Sequence, residues 1–172
     1  MQTDRLKTTM IDEEKHYSLR GQCVTPRSRE DITIRAERLC SALKIRPSIV
    51  SKIDGFIEKL RDYGINVEVA QPHEWVEVAN AVCDPATGII MIPHELYSKI
   101  CEKKDQKAIF ILFHEIGHII LGHKALLHYQ DTPCSQEEDS EWQADFFSEC
   151  ILRHLNLTGY ENQPEQLVLE FR

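Results

Sequence analysis

The sequence has too little positive charge to suggest a partner with a negatively charged surface. It carries 20 lysines and arginines against 28 aspartates and glutamates, which leaves a formal net charge of −8. Proteins bind nucleic acids and anionic membranes through basic surfaces. The balance therefore argues against non-specific nucleic-acid binding and against membrane association, and it is compatible with a basic protein partner.

Paired cysteines, secretory features and membrane-length apolar runs are also missing. The six cysteines are spread along the chain without a Cys-x-x-Cys pair, so neither a disulfide framework nor a cysteine-rich zinc site is expected. Residues 1–22 lack the apolar core of a signal peptide, and the most apolar run, 108–121, is too short to span a bilayer. We therefore expect a cytoplasmic protein with reduced thiols.

The hydrophobic pattern predicts a single α+β domain. Apolar residues recur at helical spacing over about 30–43, and again from Ser48, the expected N-cap of a second helix, to Gly64. The period then changes to two. This alternation predicts a small, at least partly antiparallel sheet of three strands, at 65–70, 75–83 and 88–93.

Two longer helices follow the predicted sheet. The first covers about 105–121, with Asp105 as its N-cap and Gly122 at its end. The second opens at the Ser-x-x-Glu capping box of residues 135–138 and runs to about His154. Helices around a small three-stranded sheet form an α+β architecture.

The first of these helices carries polar residues that an apolar core would not tolerate unpaired. The stretch AIFILFHEIGHIILGHK, residues 108–124, includes His114, Glu115 and His118. A buried polar group without a partner costs a few kcal/mol. Histidines four residues apart share a helix face and can bind one metal ion, and the glutamate beside them can take a proton from water, as in His-Glu-x-x-His zinc proteases. We therefore predict zinc ligands at His114 and His118, with Glu115 as general base.

A catalytic zinc site needs a third protein ligand, and two residues compete for this role. His123 does not fit the metzincin spacing, and in a continuing helix it would face about 140° away from His118 at ~100° per residue. Glu141 is favoured because it lies on the next helix, with Asp145 one turn later. Such an aspartate can accept the N–H of a ligating histidine and fix its orientation. His123→Ala is accordingly expected to keep its metal.

These motifs together resemble those of the ImmA/IrrE family of metallopeptidases. HEIGHIILGH, residues 114–123, is similar to the family's His-Glu-Leu-Gly-His segment, and EWQADFF, residues 141–147, is similar to its Glu-x-x-Ala-Asn/Asp-x-Phe segment. The resemblance covers about residues 30–155. It implies a gluzincin-like, zincin-type minimal metalloprotease core whose site residues are the zinc ligands His114, His118 and Glu141 and the general base Glu115.

The resemblance also implies an organisation and a substrate. Residues 28–155 are expected to form a single zinc metallopeptidase domain, preceded by a flexible or loosely docked arm, 1–27, and followed by a tail, 156–172. Family members typically cleave a helix-turn-helix repressor. A repressor of this kind is therefore the expected protein substrate, with no direct nucleic-acid or membrane contact.

Two other functions stay open at this stage. A zinc-binding but catalytically idle interaction protein, such as a toxin–antitoxin component, would keep the site without turnover. A DNA-binding regulator would use residues 42–56, which loosely resemble a helix-turn-helix. The absence of a glycine in that turn and the acidic charge of the chain weigh against direct DNA contact.

Overall fold

The computed structural model describes residues 17–75, 79–124 and 134–157. Its helices and strands follow one another as α1 Arg29–Ala42, α2 Ile53–Leu60, β1 Asn66–Ala70, β2 Val82–Asp84, β3 Ile89–Pro93, α3 His94–Cys101, α4 Gln106–Leu121 and α5 Ser140–His154. One-turn or two-turn 3-10 helices lie at Pro47–Lys52, Arg61–Tyr63 and Gln136–Glu138. The predicted α+β class, with helices around a small three-stranded sheet, is confirmed.

The sheet is mixed, with β3 between the other two strands. β1 runs parallel to β3 and β2 runs antiparallel to it. The predicted strands at 65–70 and 88–93 are each found within one residue. The strand predicted at 75–83 is wrong for most of its described part, because only Val82–Asp84 find partners on β3. Residues 76–78 of that prediction lie outside the described residues.

The first two helices agree with the sequence pattern except at one cap. Ser28 caps α1 by accepting the backbone N–H of Asp31. The predicted N-cap at Ser48 is wrong, since Pro47 starts a 3-10 helix that contains Ser48, and the α-helix begins only at Ile53. Proline favours such a first-turn position because its φ is fixed and it has no N–H to satisfy.

α4 and α5 form the centre of the core and pack extensively against each other. Asp105 caps α4 as predicted, by accepting the N–H of Ala108, and Gly122 ends it in the left-handed conformation with φ 66°. The predicted capping box of Ser135 opens only the short 3-10 helix, and Asp139 is the cap of α5. The most buried large side chains of the pair are Ile109, Leu112, Phe113, Ile116, Phe147 and Ile151.

The described part of the predicted N-terminal arm is docked on the start of α5. We call residues 17–27 the N-terminal segment. Val24 N–H donates to the Glu138 carbonyl at 2.8 Å, and Ser140 N–H donates to the Gln22 carbonyl at 3.0 Å. The fully buried carboxylate of Asp139 explains the docking, because a buried charge needs donors. For residues 17–27 the structure therefore shows the docked alternative of that expectation and not the flexible one, while 1–16 lie outside the described residues.

The remaining expectations concern the tail and membranes. Residues 158–172, nearly all of the predicted tail, lie outside the described residues. Across 17–75, 79–124 and 134–157, no helix has the length and apolar character needed to cross a bilayer.

Candidate metal centre

The packing of α4 on α5 brings the three predicted ligands together. His114 and His118 lie one turn apart on α4, and Glu141 lies in the first turn of α5. The two histidine Nε2 atoms are 3.0 Å apart. Glu141 Oε2 is 3.2 Å from His114 Nε2, and Glu141 Oε1 is 3.5 Å from His118 Nε2.

These separations match what one zinc ion requires. Zinc lies 2.0–2.2 Å from nitrogen and oxygen ligands, so two ligand atoms of a tetrahedral site are about 3.3 Å apart. Two imidazole nitrogens and one carboxylate are also the donor set of zinc enzymes that keep a fourth position open. The ligand atoms of His114, His118 and Glu141 all lie within 4.8 Å of one another, and this is the one group of three or more such residues found in the described parts of the chain.

His114 is held from behind by a carboxylate and an arginine. Its Nδ1 is 2.8 Å from Asp145 Oδ1, and Arg20 Nη1 donates to Asp145 Oδ2 at 2.7 Å. Burial opposes the charged ring, but the hydrogen bonds to Asp145 and Glu141 outweigh it and raise the pKa of His114 to about 10. The contact predicted between Asp145 and a histidine of the His-Glu-x-x-His motif is thus present.

Glu115 lies beside the three ligands in a poorly hydrated position. Its side chain is on α4 and is 7% exposed. Burial raises its pKa to about 7, with the charge of Glu141 adding to the effect and that of His114 opposing it. On the other side lies Cys83 of β2, whose pKa is raised to about 12 by burial and by the nearby charge of Glu115. The carboxylate is therefore poised to take up and release a proton near neutral pH.

His123 lies against His118 although it is not one of the three converging ligands. The left-handed Gly122 ends α4, so the chain reverses and His123 N–H donates to the His118 carbonyl at 3.1 Å. His123 Nδ1 is 2.7 Å from His118 Nδ1, and His123 Nε2 is 3.0 Å from Gln143 Oε1. The continuing helix assumed in the sequence analysis does not exist, because the chain turns back at Gly122.

The pKa of each of these two rings is lowered. Burial and the charge of His114 lower the pKa of His118 to about 3. Burial also lowers the pKa of His123. Sequence reasoning missed the contributions of His123, Gln143 and Arg20. Of the neighbouring residues, Gly122 alone indicated in the sequence that His123 would not continue the helix, since a glycine that ends a helix also redirects the residue after it.

The comparisons with known proteins add little to this geometry. No family model matches the chain, and no curated protein matches it. One solved structure, a Mycobacterium tuberculosis transcriptional regulator, is similar over 74% of this chain with 17% sequence identity and a TM-score of 0.44. The chain spans 38% of that protein's length. A similarity at this level identifies neither a fold nor a function.

Proposed function

We propose that this chain is a zinc-dependent endopeptidase. The observation that carries the proposal is the convergence of His114, His118 and Glu141 on one point, beside the buried carboxylate of Glu115. A zinc ion bound by these ligands supplies a Lewis acid that makes water nucleophilic near neutral pH.

The chain's own residues would divide the work of peptide hydrolysis. His114, His118 and Glu141 would hold the ion, and three protein ligands are the number found in catalytic zinc sites. Glu115 takes the proton of the attacking water and returns it to the leaving amine. A carboxylate whose pKa lies near neutrality suits both steps, because it accepts and donates a proton with similar ease.

We propose a helix-turn-helix transcriptional repressor as the substrate. Two features of the sequence support this choice: the resemblance of residues 114–123 and 141–147 to the ImmA/IrrE motifs, and the net charge of −8. DNA-binding proteins carry basic surfaces, and an acidic enzyme attracts such a surface.

A single substitution tests the proposed chemistry. Glu115→Gln keeps the shape of the side chain and removes the base, so the variant should bind zinc and fold like the wild type. It should cleave a helix-turn-helix repressor substrate at least ~100-fold more slowly. Both proteins are loaded with zinc, mixed with that repressor, and followed by gel electrophoresis of its fragments.

The other outcomes identify the alternatives. Equal cleavage by both proteins would remove Glu115 from the mechanism. Repressor binding without cleavage by zinc-loaded wild type would instead favour the catalytically idle interaction protein. Binding of operator DNA by the chain alone, with no zinc taken up, would favour the DNA-binding regulator.

A further inference from the structure

The side-chain amide of Gln143 has only one chemically sensible orientation. Gln143 is fully buried on α5. Its Nε2 donates to the Thr25 carbonyl at 2.9 Å and to the Glu137 carbonyl at 2.6 Å. An amide nitrogen has two hydrogens to donate and an amide oxygen has none, so a reversed amide would set three oxygens against one another. Gln143 therefore presents its Oε1, an acceptor, to His123.

This acceptor determines the tautomer of His123. Oε1 can only accept, so His123 Nε2, at 3.0 Å, must carry the hydrogen. A neutral imidazole has one N–H, which leaves His123 Nδ1 with a free lone pair. His123 Nδ1 lies 2.7 Å from His118 Nδ1, so one of these two nitrogens must donate a hydrogen bond to the other. The donor is consequently His118 Nδ1–H.

The hydrogen-bond chain ends at the metal centre. A neutral His118 with its proton on Nδ1 has its Nε2 lone pair free. This Nε2 is the atom that lies 3.0 Å from His114 Nε2 and 3.5 Å from Glu141 Oε1. The opposite tautomer would place a hydrogen on Nε2, where a metal ion could not bind.

We propose that His123 is a positioning residue of the metal centre. It accepts the Nδ1–H of His118 and, itself fixed by Gln143, keeps His118 in the tautomer and ring orientation that present Nε2 to a metal ion. The inference rests on the proposed zinc site and extends it. Asp145 supports His114 with a charged acceptor. The corresponding acceptor for His118 is the neutral ring of His123.

A matched pair of substitutions separates this role from simple packing. His123→Phe keeps a ring of similar shape and removes the acceptor. His123→Asn shortens the side chain but keeps an oxygen acceptor next to the position of Nδ1. If His123 only filled space, Phe would be the milder change. If it positions His118, Asn is the milder change.

The measurement is zinc affinity, by competition with a chromophoric chelator, on variants whose thermal unfolding matches that of the wild type. His123→Phe should bind zinc about 10- to 100-fold more weakly, as is usual when the partner of a ligating histidine is removed. This expectation replaces the one drawn from the sequence, that a His123 variant keeps its metal, because His123 contacts His118 and does not face away from it. His123→Asn should recover most of that loss. Affinity unchanged in the Phe variant, or reduced equally in both, would overturn the positioning role.

A second readout does not depend on metal. Two-bond proton–nitrogen spectra of the metal-free protein, with the His118 signals assigned through a His118→Ala variant, report which nitrogen carries hydrogen. We expect hydrogen on His118 Nδ1 and on His123 Nε2. Hydrogen on His118 Nε2 would overturn the inference even if zinc binds and peptide is cleaved.

Failure of the wild type to bind zinc would overturn the proposed function and the positioning role together. The two failures are thus distinguishable.

Discussion

Gly21 lies so close to Glu141 that any side chain at its position would have to displace a neighbour. A Cβ built on Gly21 would come within 2.5 Å of Glu141 Cγ and closer still to Ser140 Oγ, which is far inside normal contact distance. We predict that Gly21→Ala displaces either the N-terminal segment or the Glu141 carboxylate, and that it weakens zinc binding at least about tenfold, within the range seen for residues that support metal ligands.

The control for Gly21→Ala is the same substitution in α2. A Cβ on Gly55 meets no atom within 4 Å, so Gly55→Ala should leave zinc affinity unchanged. Both variants are titrated against a competing chelator. Equal zinc affinity of the two variants would contradict the prediction, since it would mean that the segment yields without disturbing Glu141.

Asp145 contacts both His114 and Arg20, so its replacement should change zinc affinity. Asp145→Ala removes the acceptor of His114 Nδ1–H and leaves Arg20 without this carboxylate. We expect zinc affinity to fall about 10- to 100-fold. Asp145→Asn keeps an oxygen for His114 and should lose less, whereas His118→Ala removes a ligand and should lose most of its zinc by metal analysis. An alanine variant with wild-type affinity would remove Asp145 from the site.

At the scale of elements, the metal centre depends on how closely α4 approaches α5. Gly117 lies between the two histidines, and a Cβ there would lie 3.1 Å from Phe147 Cδ1 and 3.4 Å from Ala144 Cα. The ring of Phe147 is fully buried, and buried side chains are close-packed. The helix that carries two ligands is thus pressed against the helix that carries the third.

This packing predicts the effect of a branched side chain at position 117. Gly117→Val should force the helices apart and lower the free energy of unfolding by about 1–3 kcal/mol, the usual consequence of overpacking. Urea unfolding of the metal-free protein measures it. Gly55→Val is the control, because it makes the same substitution in a helix at a position where an added Cβ meets no atom within 4 Å. Equal losses in the two variants would show that close packing at Gly117 is not what matters.

The elements that sequence predicts well are those whose signals are local. The caps of Asp105 and Gly122 and the four-residue spacings of His114–His118 and Glu141–Asp145 can be read from neighbouring residues. The extent of the strand at 75–83 could not be predicted from neighbouring residues, because it depends on how many of its residues pair with β3. Propensity near Ser48 was misleading because Pro47 set a different backbone path.

The contacts that hold the candidate ligands in place could not be predicted from neighbouring residues either, because their partners lie far away in the chain. Gln143 finds one of its acceptors at Thr25, 118 positions earlier in the chain. Arg20 reaches Asp145 across 125 positions. No periodicity or motif near α5 indicates such partners, since only the completed fold brings them together. The convergence of His114, His118 and Glu141 was therefore predictable from spacing, and the long-range contacts behind them were not.

At the scale of the whole molecule, the N-terminal segment contacts Glu141 itself and the residues that lie behind His114 and His118. Arg20 pairs with Asp145 behind His114. Gly21 packs on Glu141, and the Thr25 carbonyl holds Gln143 behind His123 and His118. A segment outside the metal-binding helices is thus part of the outer layer of the site. Ordering of the ligands and ordering of the segment should then reinforce each other.

This coupling predicts that zinc slows hydrogen exchange in the N-terminal segment. The amides of Val24 and Arg27 donate to the carbonyls of Glu138 and Glu137, so they exchange only when the segment leaves the 3-10 helix Gln136–Glu138 that precedes α5. Zinc that fixes Glu141 and the two histidines favours the docked segment, and both amides should exchange more slowly in its presence. Exchange followed by NMR with and without zinc measures the effect, and His118→Ala under the same conditions is the control. If zinc protects α4 but leaves Val24 and Arg27 unchanged, the segment covers the site without being coupled to it.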